Sequence, residues 1–420
     1  MYWLVETEEQ VKNFKSEGYK EGFVEIIPYN SFQHPITNSI SLIYIRPLNS
    51  TKGFIFPINH SEAFLLSEEI PISILETFST LYVRDKKEFL HYIIHPKIMD
   101  LTFHNINYKL TLPTVYNFFQ RKYENKKDLN LIIPIVKHYE YCEKIYNDLK
   151  PYIKSQHNTF LNNKSSVVFN FIEKNGIKID PVKFSNIFYP TEEKHIYTNY
   201  NLKTTTGRPS NSFNNINYAA LNKSNKSRES FIPQNQKFIE IDISAYHPTI
   251  LSKIINYDFR GKDIHQYFAD LYEVSYDKAK EITFQQLYGG VFEKYQHLKF
   301  FQEVDKYINS TWEKFEKEGF IECPISKKRF ENSILKDMNP QKLLNYILQA
   351  TETDLNVILL WDMSQILYDK TTKLVLYTYD SFLFDTLDED KEVIDKIKDI
   401  FIKHNLKFKV KEGYNYDEMR

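Results

Sequence analysis

Cysteine is almost missing from this chain: Cys142 and Cys323 are the only two in 420 residues. Two thiols give neither a disulfide framework nor a zinc cluster, and a reduced, cytoplasmic setting is the natural expectation. An excess of charge is missing too. Lys and Arg number 54 against 55 Asp and Glu, a formal net charge of −1, which excludes a polycation that binds nucleic acid over its whole surface. Any such binding must come from a local basic surface. No apolar run approaches the ~20 residues of a membrane span and the N-terminus carries no signal-peptide pattern, so no membrane partner is expected. A G-x4-G-K-[ST] loop is absent, which argues against an ATP-driven motor.

What is present is a globular composition, 42% hydrophobic and 26% charged, with 31 Tyr and 32 Phe. Most of these rings belong in a core; a minority is available to stack on bases. The length predicts two or three domains. Residues 1–110 read as a mixed region, with extended runs at Gly22–Ile27, Ser39–Ile45 and Gly53–Ile58 and helices near 72–82 and 86–95. From about 113 to 175 the pattern is mainly helical, and Val136, Tyr139, Tyr141, Ile145 and Leu149 mark one buried face. The main boundary is expected between about 112 and 140.

The chemistry begins at Phe238–Ile243, where isoleucines at 239, 241 and 243 alternate with Glu240 and Asp242. A strand sends the isoleucines into a core and both acids to the other face. The bland alternative is a half-exposed strand with solvated acids. A second run, Leu374 to Asp385, is apolar on both sides of Asp380-Ser381 and reads as a hairpin turning at the acid. Phosphoryl transfer to a nucleotide 3′-hydroxyl uses two divalent ions ~3.5–4 Å apart, held by carboxylates from both sides. Asp242 and Asp380 are the expected pair.

Between them, Tyr276, Lys280, Phe284 and Tyr288 recur every four residues and share one helix face before Gly289-Gly290 ends the helix. A lysine on that face can grip a triphosphate and aromatics beside it can stack on an incoming base. The alternative is a helix packed by Phe284 and Tyr288 with Lys280 in solvent. The segment Lys203 to Arg228 holds Lys203, Arg208, Lys223, Lys226 and Arg228 and no acid. It can reach phosphates without reading sequence, or be an ordinary polar loop.

Taken in order over roughly residues 165–418, these elements resemble a family A DNA polymerase, the DNA polymerase I family. Thr206-Gly207-Arg208-Pro209-Ser210 resembles its T-G-R-L-S element, whose arginine contacts the primer end. Asp242-Ile243-Ser244 is similar to the opening of motif A, and Asp263-Ile264-His265 to the D-I-H element whose histidine contacts nucleotide phosphate. Lys280, Phe284, Tyr288 and Gly289 match motif B. Asn345, Gln349 and Asp354 match an N-x3-Q helix that holds template and primer, and Tyr379-Asp380-Ser381 stands where the family has H-D-E.

The resemblance implies a mixed α+β right-hand fold: a palm of antiparallel sheet, helical fingers and a reduced thumb, with an N-terminal α/β exonuclease-like domain. Its expected divisions are 1–125 for a degenerate exonuclease-like domain, 126–205 for linker helices and the reduced thumb, and 206–420 for palm and fingers, the fingers at about 258–340. Implied roles follow. Asp242 and Asp380 hold two Mg²⁺ ions, with Mn²⁺ a possible substitute, and act in catalysis with Lys280. His265, Lys280, Phe284, Tyr288 and His247 bind the nucleotide. Arg208, Asn345, Gln349, Tyr379, Lys223, Lys226 and Arg228 bind primer and template.

Departures from the family pattern are specific. Motif B's leading arginine falls at Tyr276, leaving a phosphate contact missing or supplied by Lys278. Motif A's glutamate, which crowds the ribose 2′ position, falls at His247, and motif C's glutamate at Ser381. Only about thirty residues separate Asn175–Asp180 from Thr206, where relatives carry a long helical thumb. Low processivity is therefore expected unless a processivity or replisome partner clamps the DNA. In the N-terminal region Val24-Glu25-Ile26 stands where a D-x-E exonuclease motif belongs, so proofreading is expected to be lost.

The resulting expectation is a template-directed DNA polymerase that adds dNTPs to a primed DNA template, of phage or mobile-element style. The alternatives are an rNTP-tolerant, RNA-polymerase-like or primase-like enzyme, and a catalytically dead nucleic-acid-binding relic.

Overall fold

The Lys237–Ile243 segment is a strand buried on both faces, part of a four-stranded sheet in the C-terminal half. The computed structural model describes residues 2–102, 112–115, 117–119, 133–154, 160–221 and 224–419. It divides into two compact units, Met1–Asn170 and Phe171–Arg420. Residues 133–154 and 160–170, within the stretch expected as linker helices and reduced thumb, group with the first unit. Among the described residues no helix is long and apolar enough to cross a membrane.

The first unit is built on a mixed sheet of β1 (Trp3–Leu4), β2 (Glu21–Pro28), β3 (Ile40–Pro47), β4 (Phe54–Pro57), β5 (Thr80–Val83) and β6 (Ile98–Asp100), in the order β1-β4-β3-β2-β5-β6. Strands β2, β3 and β4 pair antiparallel, while β5 runs parallel to both β2 and β6. Three of these strands fall on the extended runs read from the sequence. Both faces of the sheet are covered. Val24, Ile43, Ile45, Phe56, Leu81 and Val83 pack beneath α1 (Glu8–Ser16), α2 (Glu69–Leu75) and α3 (Lys86–Tyr92). Phe23, Ile27, Leu42, Tyr44, Ile55 and Tyr82 face α4 (Ile135–Leu149) instead. Covering both faces with helices is the usual way to bury a sheet with parallel pairs.

Two local readings need correction. The helix expected over 72–82 stops at Leu75, and Thr80–Val83 is a fully buried strand, because its β-branched and aromatic residues fit a two-sided core better than a helix face. On α4 the buried stripe runs Ile135, His138, Cys142, Ile145 and Leu149, which leaves Val136 on the solvent side.

The second unit opens in α5 (Phe160–Asn175), a helix that begins in the first, followed by the ribbon β7 (Ile177–Lys178)–β8 (His195–Ile196) around α6 (Pro181–Ile187). A small sheet of β9 (Tyr200–Asn201), β10 (Ser210–Phe213) and β11 (Ile216–Asn217) comes next. Its main sheet is wholly antiparallel: β12 (Lys237–Ile243), β15 (Lys373–Thr378), β16 (Ser381–Thr386) and β17 (Phe408–Gly413), in the order β15-β16-β12-β17. Between β12 and β15 lie α7 (Tyr246–Ile254), α8 (Ile264–Tyr272), α9 (Tyr276–Gly289), α10 (Lys299–Glu318), the hairpin β13 (Phe320–Glu322)–β14 (Arg329–Glu331), and α11 (Pro340–Leu367). Helix α12 (Lys391–Lys403) separates β16 from β17.

The long helix α11 begins with a strong signal: Asn339 caps it by accepting from the Lys342 N–H at 2.8 Å, and Pro340 takes the first turn where no N–H is needed. Helices α7 and α12 pack on it. Gly290, at φ +96°, ends α9 where the sequence placed a stop.

Candidate active site

On β12 the isoleucines at 239, 241 and 243 are buried as expected, but burial does not alternate, because Phe238 and Glu240 on the other face are buried as well. The acid face is not the solvated one of the bland alternative, since Glu240 is only 6% exposed. Directly opposite residues on neighbouring strands share a face, and the register sets Asp242 between Ser381 of β16 and Lys409 of β17. Asp380 lies beside Ser381 in the two-residue turn between β15 and β16, and its carbonyl accepts from the Ile243 N–H at 2.8 Å. Both aspartates thus stand at the same end of adjacent strands.

The turn is held under strain. Tyr379 adopts φ +66°, a left-handed conformation that costs a residue with a Cβ on the order of 1 kcal/mol or more. Two contacts hold it there: its carbonyl accepts from Asn356 Nδ2 at 2.8 Å, and the Arg208 guanidinium lies 3.7 Å from its ring centre.

The carboxylates feel each other. Burial and then the charge of Asp242 push the Asp380 carboxyl up to about 6, with Glu352 adding to the effect. Asp242 is raised by burial and by Glu240, and Lys411, Lys280 and Lys409 pull it back in part. Glu240 is a third acid here, and the one that is buried. It accepts from Ser381 Oγ at 2.8 Å and pairs with Lys411 at 3.5 Å. The position that lacks motif C's glutamate is therefore bonded to a glutamate from the neighbouring strand.

A second cluster gathers around Glu352 of α11, which is 2% exposed. Its carboxylate accepts from His247 Nε2 at 2.9 Å and from Arg208 Nη2 at 3.3 Å, and forms an ion pair with Arg208 Nε at 3.3 Å. A carboxylate only accepts, so Nε2 donates to Glu352, and the Tyr288 hydroxyl partners Nδ1 on the other side. His247 is thus fixed at both nitrogens. The Thr206 hydroxyl donates to Gln349 Oε1 at 3.2 Å, and Gln349 Nε2 to Asn345 Oδ1 at 3.1 Å. The T-G-R segment is in this way laid along α11.

Helix α9 buries Ala279, Ile282, Thr283, Gln286 and Leu287. The stripe of Tyr276, Lys280, Phe284 and Tyr288 lies on its other, accessible side, contrary to the core-packing alternative. Phe284 and Tyr288 are parallel within 7°, their centres 6.0 Å apart. Next to them His265, only 3% exposed, sits 5.6 Å from the Tyr276 ring and 6.0 Å from Phe284. Neither of its ring nitrogens has a hydrogen-bond partner. Burial, and after it the nearby Lys280 and Lys409, hold it below the ordinary histidine range.

The structure brings together Asp242, Asp380, Lys280, His265, His247, Phe284, Tyr288, Arg208, Tyr379, Asn345 and Gln349. The rest of the basic segment is engaged differently. Arg228 donates to the Leu221 carbonyl at 3.0 Å and stacks on Tyr416 at 4.5 Å, and Lys226 pairs with Glu229 at 3.5 Å. Lys223 lies outside the described residues. Lys278, the proposed stand-in for motif B's arginine, is paired with Glu281 at 2.7 Å. Asp354 accepts from Cys323 Sγ and the Ser326 N–H at 3.1 and 3.0 Å, away from this cluster's partners. Sequence reasoning missed Glu352 and Asn356. The spacing of Asn345 and Gln349 continues through both in steps of three and four, and that single polar stripe on a long apolar helix was the available signal.

In the first unit, Glu25 of β2 is buried against Arg84 at 3.1 Å. Both Asp100 oxygens are taken by nearby donors, the Lys86 N–H at 2.7 Å on one side and the Thr102 N–H and hydroxyl at 2.9 Å on the other.

Comparison with known proteins places the fold. No protein-family model matches the chain, and no curated protein matches it in sequence. Among solved structures it is similar to the polymerase domain of Pol1 from M. smegmatis, in complex with DNA primer-template and dNTP. That likeness has a TM-score of 0.74 at 12% identity and covers 99% of both chains. The chain shares the fold of that domain at a sequence identity of 12%.

Proposed function

We propose that the chain is a template-directed DNA polymerase of the family A type, adding dNTPs to the 3′-hydroxyl of a primed DNA strand. The observation that carries this reading is the pair Asp242 and Asp380, set side by side at the end of β12 and in the turn of the β15–β16 hairpin, with Lys280 acting on Asp242 and Arg208 on Asp380. The polymerase-domain fold supports it.

The donors suit a hard divalent cation: carboxylate oxygens crowded by acids, Glu240 beside Asp242 and Asp242 beside Asp380, which raises their affinity for a positive charge. Asp242 and Asp380 would hold two Mg²⁺ ions, which when bound lower the pKa of the primer hydroxyl and neutralise the leaving pyrophosphate. Lys280 and His265 take the triphosphate, and Lys280 is placed to protonate the leaving group. Phe284 and Tyr288 offer a stacking surface to the base. Arg208 and Tyr379 meet the primer end, and Asn345 and Gln349 the minor groove. The first unit has its candidate acids tied up in Arg84 and in backbone donors, which supports a degenerate exonuclease-like region without proofreading. The short segment between Asp180 and Thr206, with one seven-residue helix, supports low processivity and a need for a clamping partner.

The pH response follows from Asp380. A free aspartate titrates near 3.9, whereas this one is pushed up to about 6. Between these values the folded, metal-free protein holds a proton that the unfolded chain has released. The group's contribution to stability therefore falls as pH rises through that window. A divalent ion binds the deprotonated form, so its affinity should drop about tenfold per pH unit below about pH 6. Calorimetric titration with Mn²⁺ on both sides of that pH checks this, and a flat affinity contradicts it.

A second reading rests on His247. An imidazole locked to Tyr288 and Glu352 stands where the resemblance expects the ribose-crowding glutamate, which makes ribonucleotides candidate substrates. Primer extension with Mg²⁺ and four dNTPs, repeated with four rNTPs on the same template, decides between the two. The DNA polymerase reading predicts extension with dNTPs and at least about tenfold less with rNTPs, the discrimination one well-placed contact supplies. Equal extension with both favours the second, and extension with neither refutes both.

A further inference from the structure

His265 is buried with both nitrogens unpartnered, a state that costs free energy unless a ligand completes it. Two cations, Lys280 and Lys409, converge on it against the one acid Asp263, and both cations also act on Asp242. They arrive from different elements. Lys280 belongs to α9. Lys409 belongs to β17, directly across from Asp242 on the same face of the sheet, and its ammonium lies 5.3 Å from the centre of the Tyr276 ring at the head of α9.

The neighbouring lysines are committed. Lys411 pairs with Glu240 at 3.5 Å, Lys407 donates to the Gly261 and Lys262 carbonyls at 2.9 Å, and Lys278 pairs with Glu281 at 2.7 Å. The side chain of Lys409 is exposed, and among the described residues its ammonium has no ion pair or hydrogen bond. The position that heads α9, Tyr276, supplies no charge of its own.

We propose that Lys409 is a binding residue for the polyphosphate of the incoming nucleotide, holding it from the sheet side while Lys280 holds it from the helix side and His265 donates between them. This rests on the polymerase reading and adds to it a cation from β17. A charge-assisted contact of this kind changes affinity by about 10- to 100-fold.

Two measurements on the intact chain test it. In single-nucleotide incorporation, Lys409→Ala should raise the KM for dNTP about tenfold or more with kcat within about threefold, Lys409→Arg should keep KM near wild type, and adding Tyr276→Arg to Lys409→Ala should restore it. By calorimetry, Lys409→Ala should weaken binding of inorganic tripolyphosphate by a similar factor. An unchanged KM, or a loss of kcat alone, overturns the proposal and makes Lys409 only a neighbour of Asp242. If the wild-type chain extends no primer, the polymerase reading fails, and the tripolyphosphate result alone then decides: dependence on Lys409 upholds a polyphosphate site, and independence removes it.

Discussion

Asp242→Asn and Asp380→Asn are each expected to abolish primer extension while leaving a folded protein that still binds primed DNA. The argument is electrostatic on both sides. Each aspartate is raised by burial and by a neighbouring acid, Asp380 up to about 6, so in the metal-free protein a neutral amide relieves repulsion. Thermal stability should hold or rise. Catalysis should not survive, because an amide holds a divalent ion far more weakly than a carboxylate. The several kcal/mol that such an ion contributes correspond to a loss on the order of 10³-fold or more. Primer extension, melting temperature and DNA affinity measured on the same preparations separate these effects. Extension that persists in both variants refutes the assignment, and loss of activity together with loss of folding would leave the carboxylates a structural role instead.

The largest effect on stability is expected at Glu352. Its carboxylate is 2% exposed and faces His247 at 2.9 Å and Arg208 at 3.3 Å. Removing one member of a buried ion pair commonly costs ~3–5 kcal/mol. The Arg208 side chain is 28% exposed and can recover some hydration, so about 2–4 kcal/mol is expected for Glu352→Ala. For a unit of this size that is a fall of roughly 5–15 °C in melting temperature. Glu352→Gln keeps the shape and one acceptor, and should cost less stability while still slowing extension, because Arg208 loses the charge that orients it over Tyr379. A melting temperature unchanged in Glu352→Ala would mean that the Arg208–Glu352–His247 cluster is not a working part of the fold.

Much of the site was legible because its signals are local. Alternation puts Asp242 at a strand end, the apolar runs on each side of Asp380 make a hairpin, and a four-residue spacing puts Lys280 on the face of Phe284 and Tyr288. Order along the chain joined these pieces. What was not legible is what depends on distant partners. A glutamate in mid-helix reads as solvated, and nothing local tells that His247 and Arg208, from two other segments, will bury Glu352. Glu240 reads as a surface acid until Ser381 and Lys411 are set beside it by β16 and β17. Lys409 shows nothing in sequence, because its importance comes from a register with Asp242 that spans more than 160 residues.

The same holds for the fold. Long apolar strands such as Ser39–Ile45 declare themselves, whereas Thr80–Val83 reads in sequence as the end of a helix. Its four residues are buried on both sides by elements far off in sequence, and a run so short has no period of its own. The buried face of α4 was likewise displaced by one position at Val136, where two candidate stripes overlap and only the sheet beneath chooses between them.

The central claim is tested most directly by extension of a labelled primer annealed to a longer DNA template, with the purified chain, Mg²⁺ and dNTPs supplied one kind at a time. The account predicts growth by one nucleotide only when the dNTP complements the next template base, with full loss on chelation of the metal. Tight binding of the primed template with no extension in either Mg²⁺ or Mn²⁺ would contradict it.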